Sequence, residues 1–135
     1  MVGYSGTPLV KKLGIKEDDK LYVKNSPVDY ESLLGNLPDR AELKTRLGNG
    51  IDFVHIFTKS RSELSQFLPK AKDAIVSNGM IWVSWPKKAS KIKTDVTEDV
   101  IREICLPMDL VDIKVCAINT IWSGLKLVIR KEKRL

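Results

Sequence analysis

Two apolar runs near the C-terminus, Val111–Ile118 and Leu125–Arg130, lie only about six residues apart. A parallel crossover needs a dozen or more residues, so these strands can pair only as an antiparallel hairpin. Upstream the pattern differs. The runs Leu21-Tyr22-Val23, Ile51–Phe57 and Met80–Ser84 alternate with amphipathic stretches, as parallel strands do when helices connect them. Ile51–Phe57 is almost unbroken in apolar residues, as a strand covered on both faces is. The expectation is an α/β domain with a mostly parallel sheet of about six strands, helices on both faces and a C-terminal antiparallel hairpin.

The intervening segments supply the helices. A short basic helix is expected near Thr7–Leu13, and a second over Tyr30–Leu34, closed by Gly35-Asn36 and Pro38. Glu42–Leu47 reads as a weaker second strand before the turn Gly48-Asn49-Gly50. Ser62 is placed to cap the next helix. Pro69 should kink that helix or begin another running to Ser77, with Asn78-Gly79 as the stop. Trp85-Pro86 ends the following strand. Asp95 and Glu98 have capping-box spacing at the start of a helix running to about Leu106, which Pro107 closes.

At 135 residues the chain, 1–135, fits one domain. A parallel sheet finishing in an antiparallel hairpin resembles a truncated class I methyltransferase variant of the Rossmann-like architecture, one strand–helix unit short. The opening Met1–Gly6 has neither the basic region nor the apolar stretch of a signal peptide, and no run approaches a membrane span. Cys105 and Cys116 each stand in apolar sequence, as buried reduced thiols do. With one histidine and no His/Cys cluster, no metal site is expected. The chain reads as cytoplasmic.

Ligands of open α/β sheets bind beyond the carboxyl ends of the strands. The first exit reads Lys24-Asn25-Ser26-Pro27-Val28-Asp29-Tyr30, with no glycine before Gly35. Pro27 removes a backbone donor, and side chains fill the space that glycines would leave for a cofactor. The second strand ends near Thr45-Arg46, where a ribose-binding protein would place an acid. Both departures argue against S-adenosylmethionine or a nicotinamide dinucleotide bound in the usual way, so no cofactor is expected.

The net charge of +6 is unevenly spread: residues 1–60 hold nine basic and eight acidic side chains. The excess lies in Lys87-Lys88-Ala89-Ser90-Lys91-Ile92-Lys93 and in the tail from Lys126 to Leu135. The third exit, Thr58-Lys59-Ser60-Arg61, and the fourth, Ser84-Trp85-Pro86-Lys87-Lys88, would share one basic rim if their strands are neighbours. The candidate anion-binding residues are Lys59, Arg61, Trp85, Lys87, Lys88, Thr94 and Asp95, with Trp85 as a stacking face. A solvated basic loop, with Trp85 merely covering the core, is the competing interpretation.

No catalytic constellation stands out. His55 alternates within an apolar strand and reads as a core histidine; Ser60 and Ser62 lack a nucleophile elbow. Trp122, beside a tight turn, reads as a packing residue.

Three segments carry a more specific resemblance. They are Gly3-Tyr4-Ser5-Gly6-Thr7-Pro8-Leu9 with Lys11-Lys12-Leu13-Gly14; Trp85-Pro86-Lys87-Lys88 through Thr94-Asp95 and Thr97-Glu98-Asp99 with Arg102-Glu103; and Asp112 with Lys114-Val115-Cys116-Ala117, then Trp122-Ser123-Gly124-Leu125. Together they resemble the domain of unknown function 3052 family of small bacterial proteins. The resemblance implies a bacterial cytoplasmic protein and supplies no activity.

The function expected is non-enzymatic: a degenerate Rossmann-like domain binding a small anionic ligand or a protein partner. The alternative is a methyltransferase-like enzyme with an atypical cofactor site. A third reading, nucleic-acid binding through the basic patches, rests on charge alone and would be weak and insensitive to sequence.

Overall fold

The computed structural model describes residues 8–134, so Gly3–Thr7 of the first resemblance segment, and the start of the first expected helix, lie outside it. Six strands form one sheet in the order β2-β1-β3-β4-β6-β5: β1 Lys20–Lys24, β2 Glu42–Leu43, β3 Ile51–Phe57, β4 Ile75–Pro86, β5 Leu110–Ala117 and β6 Trp122–Ile129. The first four strands are mutually parallel. β6 runs antiparallel to both β4 and β5 and lies between them, leaving β5 as the edge strand.

Strand alternation builds two cores. Val54, Ile56, Ile81, Val83, Leu125 and Leu127 face one side, under α3 (Arg61–Ala74) and α4 (Glu98–Cys105). Phe53, Phe57, Met80 and Trp82 face the other, under α1 (Leu9–Leu13) and α2 (Tyr30–Leu34). A strand with both faces covered is mostly apolar, and β3 and the C-terminal half of β4 are, with His55 and Ser84 as buried polar exceptions.

Four local expectations are corrected. β2 is two residues long rather than running to Leu47; it holds the sheet edge through Lys20↔Glu42 and Leu21↔Leu43. The cap of α3 is Ser60, whose hydroxyl accepts from Glu63 N at 3.1 Å, rather than Ser62. α4 is capped by Thr97, which accepts from Val100 N at 3.2 Å, rather than by Asp95; Glu98 pairs with Arg102 instead. The helix after β3 ends at Ala74, not Ser77, and Asn78-Gly79 lies inside β4. Gly79 marks an irregularity there, where the partner of β3 jumps from Ile75 to Met80. A Cβ on Gly79 would stand 3.0 Å from Val76 O and 3.2 Å from Asp52 O, so close backbone approach requires glycine.

Pro69 sits inside a single continuous α3. It lies on the exposed side, as does Ser65 one turn earlier, so water can satisfy the carbonyl that proline leaves without a donor.

Candidate functional site

From β1 the chain passes outward to β2 and then crosses to β3 on the opposite side, so the topological switch point lies between the exits of β1 and β3. Asn25 leaves β1 in the left-handed region, φ +59°, which asparagine tolerates better than most side chains. Its Nδ2 donates to Phe57 O and to Glu63 Oε2, each at 3.1 Å. Thr58 Oγ1 donates to the other Glu63 oxygen at 2.6 Å. The crevice between the two exits is thus bridged by the side chains that follow β1 and β3 and by one from α3.

The first turn of α3 is also occupied from within. Ser60 N donates to Thr58 Oγ1, Arg61 N to Asp95 Oδ1 and Glu63 N to Ser60 Oγ. These are the amides that hold phosphate when such a helix serves a ligand. Here the chain's own oxygens take them.

Below this exit, Tyr30, His55, Phe57 and Trp122 pack together. Tyr30 stands edge-on to both His55 and Phe57, and Trp122 edge-on to Phe57. The Tyr30 hydroxyl bonds His55 Nδ1 at 2.8 Å, and His55 Nε2 bonds Ser84 Oγ at 2.6 Å. Burial pushes the His55 pKa down to about 3 and raises that of Tyr30. His55 is therefore neutral, with one ring nitrogen donating and the other accepting, and it is fully enclosed. It is a satisfied core histidine, as expected, and no substrate reaches it. Cys105 and Cys116 are buried and free, and burial raises the Cys105 thiol to about 11.

The rim of β3 and β4 differs. The strands are parallel neighbours, so their exit loops do meet. Thr94 Oγ1 donates to Lys59 O at 2.8 Å and accepts from Val96 N at 3.0 Å, pinning the β4 loop onto the β3 loop. Between Lys87 and Thr97 the chain makes a 3-10 turn, Lys88–Ser90, and reverses at Lys91 with φ +60°. A cleft of about 430 Å³ results, floored by Trp85, Pro86, Ile92 and Val96 and edged by Lys88, Lys91 and Lys93. A shallower cleft of about 290 Å³, lined by Lys59, Ser60, Lys93, Thr94 and Asp95, adjoins it. Lys93 and Thr94 belong to both.

Of the seven residues singled out from sequence, Trp85, Lys88 and Thr94 line the larger cleft and Lys59, Thr94 and Asp95 the smaller. Lys87 lines neither; its amide donates to Ile121 O. Arg61 is engaged with Glu103 at 3.0 Å, and the Asp95 carboxylate serves the α3 amide. Lys91 and Lys93 were missing from the sequence set. Their stretch was conspicuous as a charge cluster, but only the reversal at Lys91 turns them toward the same hollow as Lys88. Among the described residues, none of Lys59, Lys88, Lys91 and Lys93 has a carboxylate within ion-pair distance.

This architecture is that of the class I methyltransferases. A SAM-dependent methyltransferase from Aquifex aeolicus superposes with TM-score 0.61 at 14% identity, covering 90% of this chain and 88% of that one. The DhpI–SAH complex gives 0.64 at 9% identity, covering 92% and 83%. Magnesium protoporphyrin IX methyltransferase from Synechocystis PCC 6803, with bound SAH, gives 0.59 at 13% identity, covering 90% and 78%. Identities this low establish the fold and nothing finer. No family model matches the sequence, and no curated protein matches it. Among the described residues, no helix is long and apolar enough to cross a membrane.

Proposed function

We propose that this chain is a non-enzymatic Rossmann-like binding domain, whose ligand site has moved from the β1 exit to the cleft beyond β4. One observation carries the reading: the β1/β3 crevice is bridged by Asn25, Glu63 and Thr58, while Lys88, Lys91 and Lys93 edge a preformed hollow with no acid among the described residues paired to them. Converged cations without counter-charges favour an anion. A small anionic ligand suits this geometry better than a protein partner, because the hollow is concave and its walls are fixed by internal hydrogen bonds.

The structural comparisons weigh more heavily for a second reading, a methyltransferase-like enzyme with an atypical cofactor pose. The solved structures that share this fold include proteins named as methyltransferases, with SAM or SAH bound. Against it stand the glycine-free β1 exit and the absence of an acid after β2, where Lys44 pairs with Glu42. Kinship with the domain of unknown function 3052 family, proposed on the three sequence segments, favours neither reading.

One titration separates them. Amide chemical shifts are followed as inorganic phosphate or S-adenosylhomocysteine is added. The binding-domain reading expects phosphate to move residues 88–97, and S-adenosylhomocysteine to bind no tighter than about millimolar, a free energy of ~4 kcal/mol. Micromolar S-adenosylhomocysteine binding with shifts at Asn25 and Phe57 would overturn it in favour of the methyltransferase-like reading.

A further inference from the structure

We infer that the β4-exit cleft is built for an amphiphilic phosphate monoester: an apolar, ring-bearing body on its floor and a phosphate dianion at Lys93. The inference rests on the binding reading above and specifies its ligand class. Three features of the lining lead to it.

The first is the floor. Ile92 is 38% exposed, left uncovered by the protein itself, and lines the cleft with Trp85, Pro86 and Val96, which the core largely buries, Trp85 keeping 9% of its surface exposed. A site for a bare inorganic anion gains nothing from such a floor, since burying apolar surface contributes only when the ligand also has some to bury.

The second is the polar inventory. The polar side chains of the larger cleft are Lys88, Lys91, Lys93, Thr94 and Thr97. Neither threonine is idle: Thr94 Oγ1 donates to Lys59 O, and Thr97 Oγ1 accepts from Val100 N. Among the described residues, no carboxylate or side-chain amide lines this cleft, so a ligand amine or the donor edge of a nucleobase finds no strong side-chain acceptor there. The lining favours a ligand whose polar part accepts rather than donates.

The third is charge. Three ammonium groups edge the larger cleft, whereas in the smaller one Lys59 and Lys93 share the lining with the Asp95 carboxylate. A monocarboxylate would offset one of them. A phosphate monoester, at nearly two negative charges, matches the cluster better, and its three free oxygens suit several compact donors at once. Lys93 is the anchor: the apolar body lies on the Trp85 side and the phosphate among Lys88, Lys91 and Lys93 in the larger cleft, whose lining, unlike that of the smaller, has no carboxylate.

The test is a titration of the full chain with naphthyl phosphate, naphthoate, naphthol and inorganic phosphate, read by amide shifts. Naphthyl phosphate should bind at least about tenfold tighter than each of the other three, with shifts centred on residues 91–97. Lys93→Ala should weaken it about tenfold. Ile92→Ser should abolish the preference over inorganic phosphate while leaving inorganic phosphate itself little changed. Equal binding of naphthyl phosphate and inorganic phosphate would overturn the amphiphile class and leave the anion-binding reading standing. Naphthoate or naphthol binding as tightly as naphthyl phosphate would overturn the assignment of a dianion. Absence of binding by all four probes, or shifts confined to other surfaces, would sink both this inference and the reading beneath it.

Discussion

Asn25 donates from Nδ2 to the Glu63 carboxylate at 3.1 Å, joining the end of β1 to the first turn of α3 across the place where this architecture ordinarily receives its ligand. The same nitrogen reaches Phe57 O, so one amide holds three elements. Its backbone makes this possible, because the left-handed conformation at residue 25 reverses the chain as it leaves the sheet.

Two substitutions separate the backbone contribution of Asn25 from that of its side chain. Asn25→Gly removes both hydrogen bonds but accepts the left-handed conformation freely. Asn25→Ala removes the same bonds and adds about 1–2 kcal/mol for holding alanine there. Alanine should therefore be the more destabilising change in urea unfolding, by about that margin. Equal losses would mean that the conformation at residue 25 relaxes.

His55 makes stability depend on pH. Its folded pKa, near 3, lies below the ordinary histidine value of 6.5, so the unfolded chain takes up the proton first. The contribution is complete above about pH 6.5 and is lost as pH falls toward the folded value, with a slope approaching 1.4 kcal/mol per pH unit. Unfolding free energies between about pH 7 and pH 5 should fall accordingly, before most carboxylates titrate. His55→Gln keeps a donor and an acceptor without a titrating group, and should flatten the slope even where it lowers stability. A slope unchanged in that variant would assign the effect elsewhere.

The sheet was legible in the sequence because its signals are physical and local. A six-residue connection cannot cross over, and Ile51–Phe57 has no polar face to offer solvent, so the hairpin and the central strand follow directly. The misplaced caps have one common cause. Ser60 and Ser62, or Asp95 and Thr97, are equally able to cap, and tertiary bonds decide between them: Asp95 is drawn to Arg61 N, leaving Thr97 to begin α4. Gly79 misled for a related reason. Asn-Gly marks a helix stop or a strand irregularity with equal force, and only pairing with β3 selects the second. At the rim, sequence brought out the lysine cluster, but which lysines share a hollow depends on the reversal at Lys91.

Two glycine substitutions test the packing. Gly79→Ala places a Cβ against the carbonyls of Val76 and Asp52, neither of which can rotate away as a side-chain tip would. It should cost about 1–3 kcal/mol, as overpacking generally does. Gly48→Ala meets nothing within 4 Å and should be neutral or slightly stabilising. Thermal melts of the pair give the comparison. A neutral Gly79→Ala would mean that the irregularity in β4 can slide.

Charge reversal at the rim distinguishes a built site from a solvated loop. Lys88 and Lys93 edge the larger cleft without ion-pair partners among the described residues, whereas Lys87, one residue from Lys88, lines neither hollow. Surface substitutions away from caps and buried networks usually change stability by less than about 0.5 kcal/mol. The Lys88→Glu/Lys93→Glu variant should therefore melt close to the parent while losing phosphate binding, and Lys87→Glu should retain most of it. Net charge alone predicts otherwise, because any reversal of a neighbouring lysine would then weaken binding in proportion to the charge removed. Duplex DNA provides the matching control. Contacts to its phosphates release counterions, so whatever affinity it has should be insensitive to sequence and fall steeply with salt. If Lys87→Glu harms phosphate binding as much per charge as the double variant, the clefts beyond β3 and β4 select nothing, and the lysines there form a solvated loop.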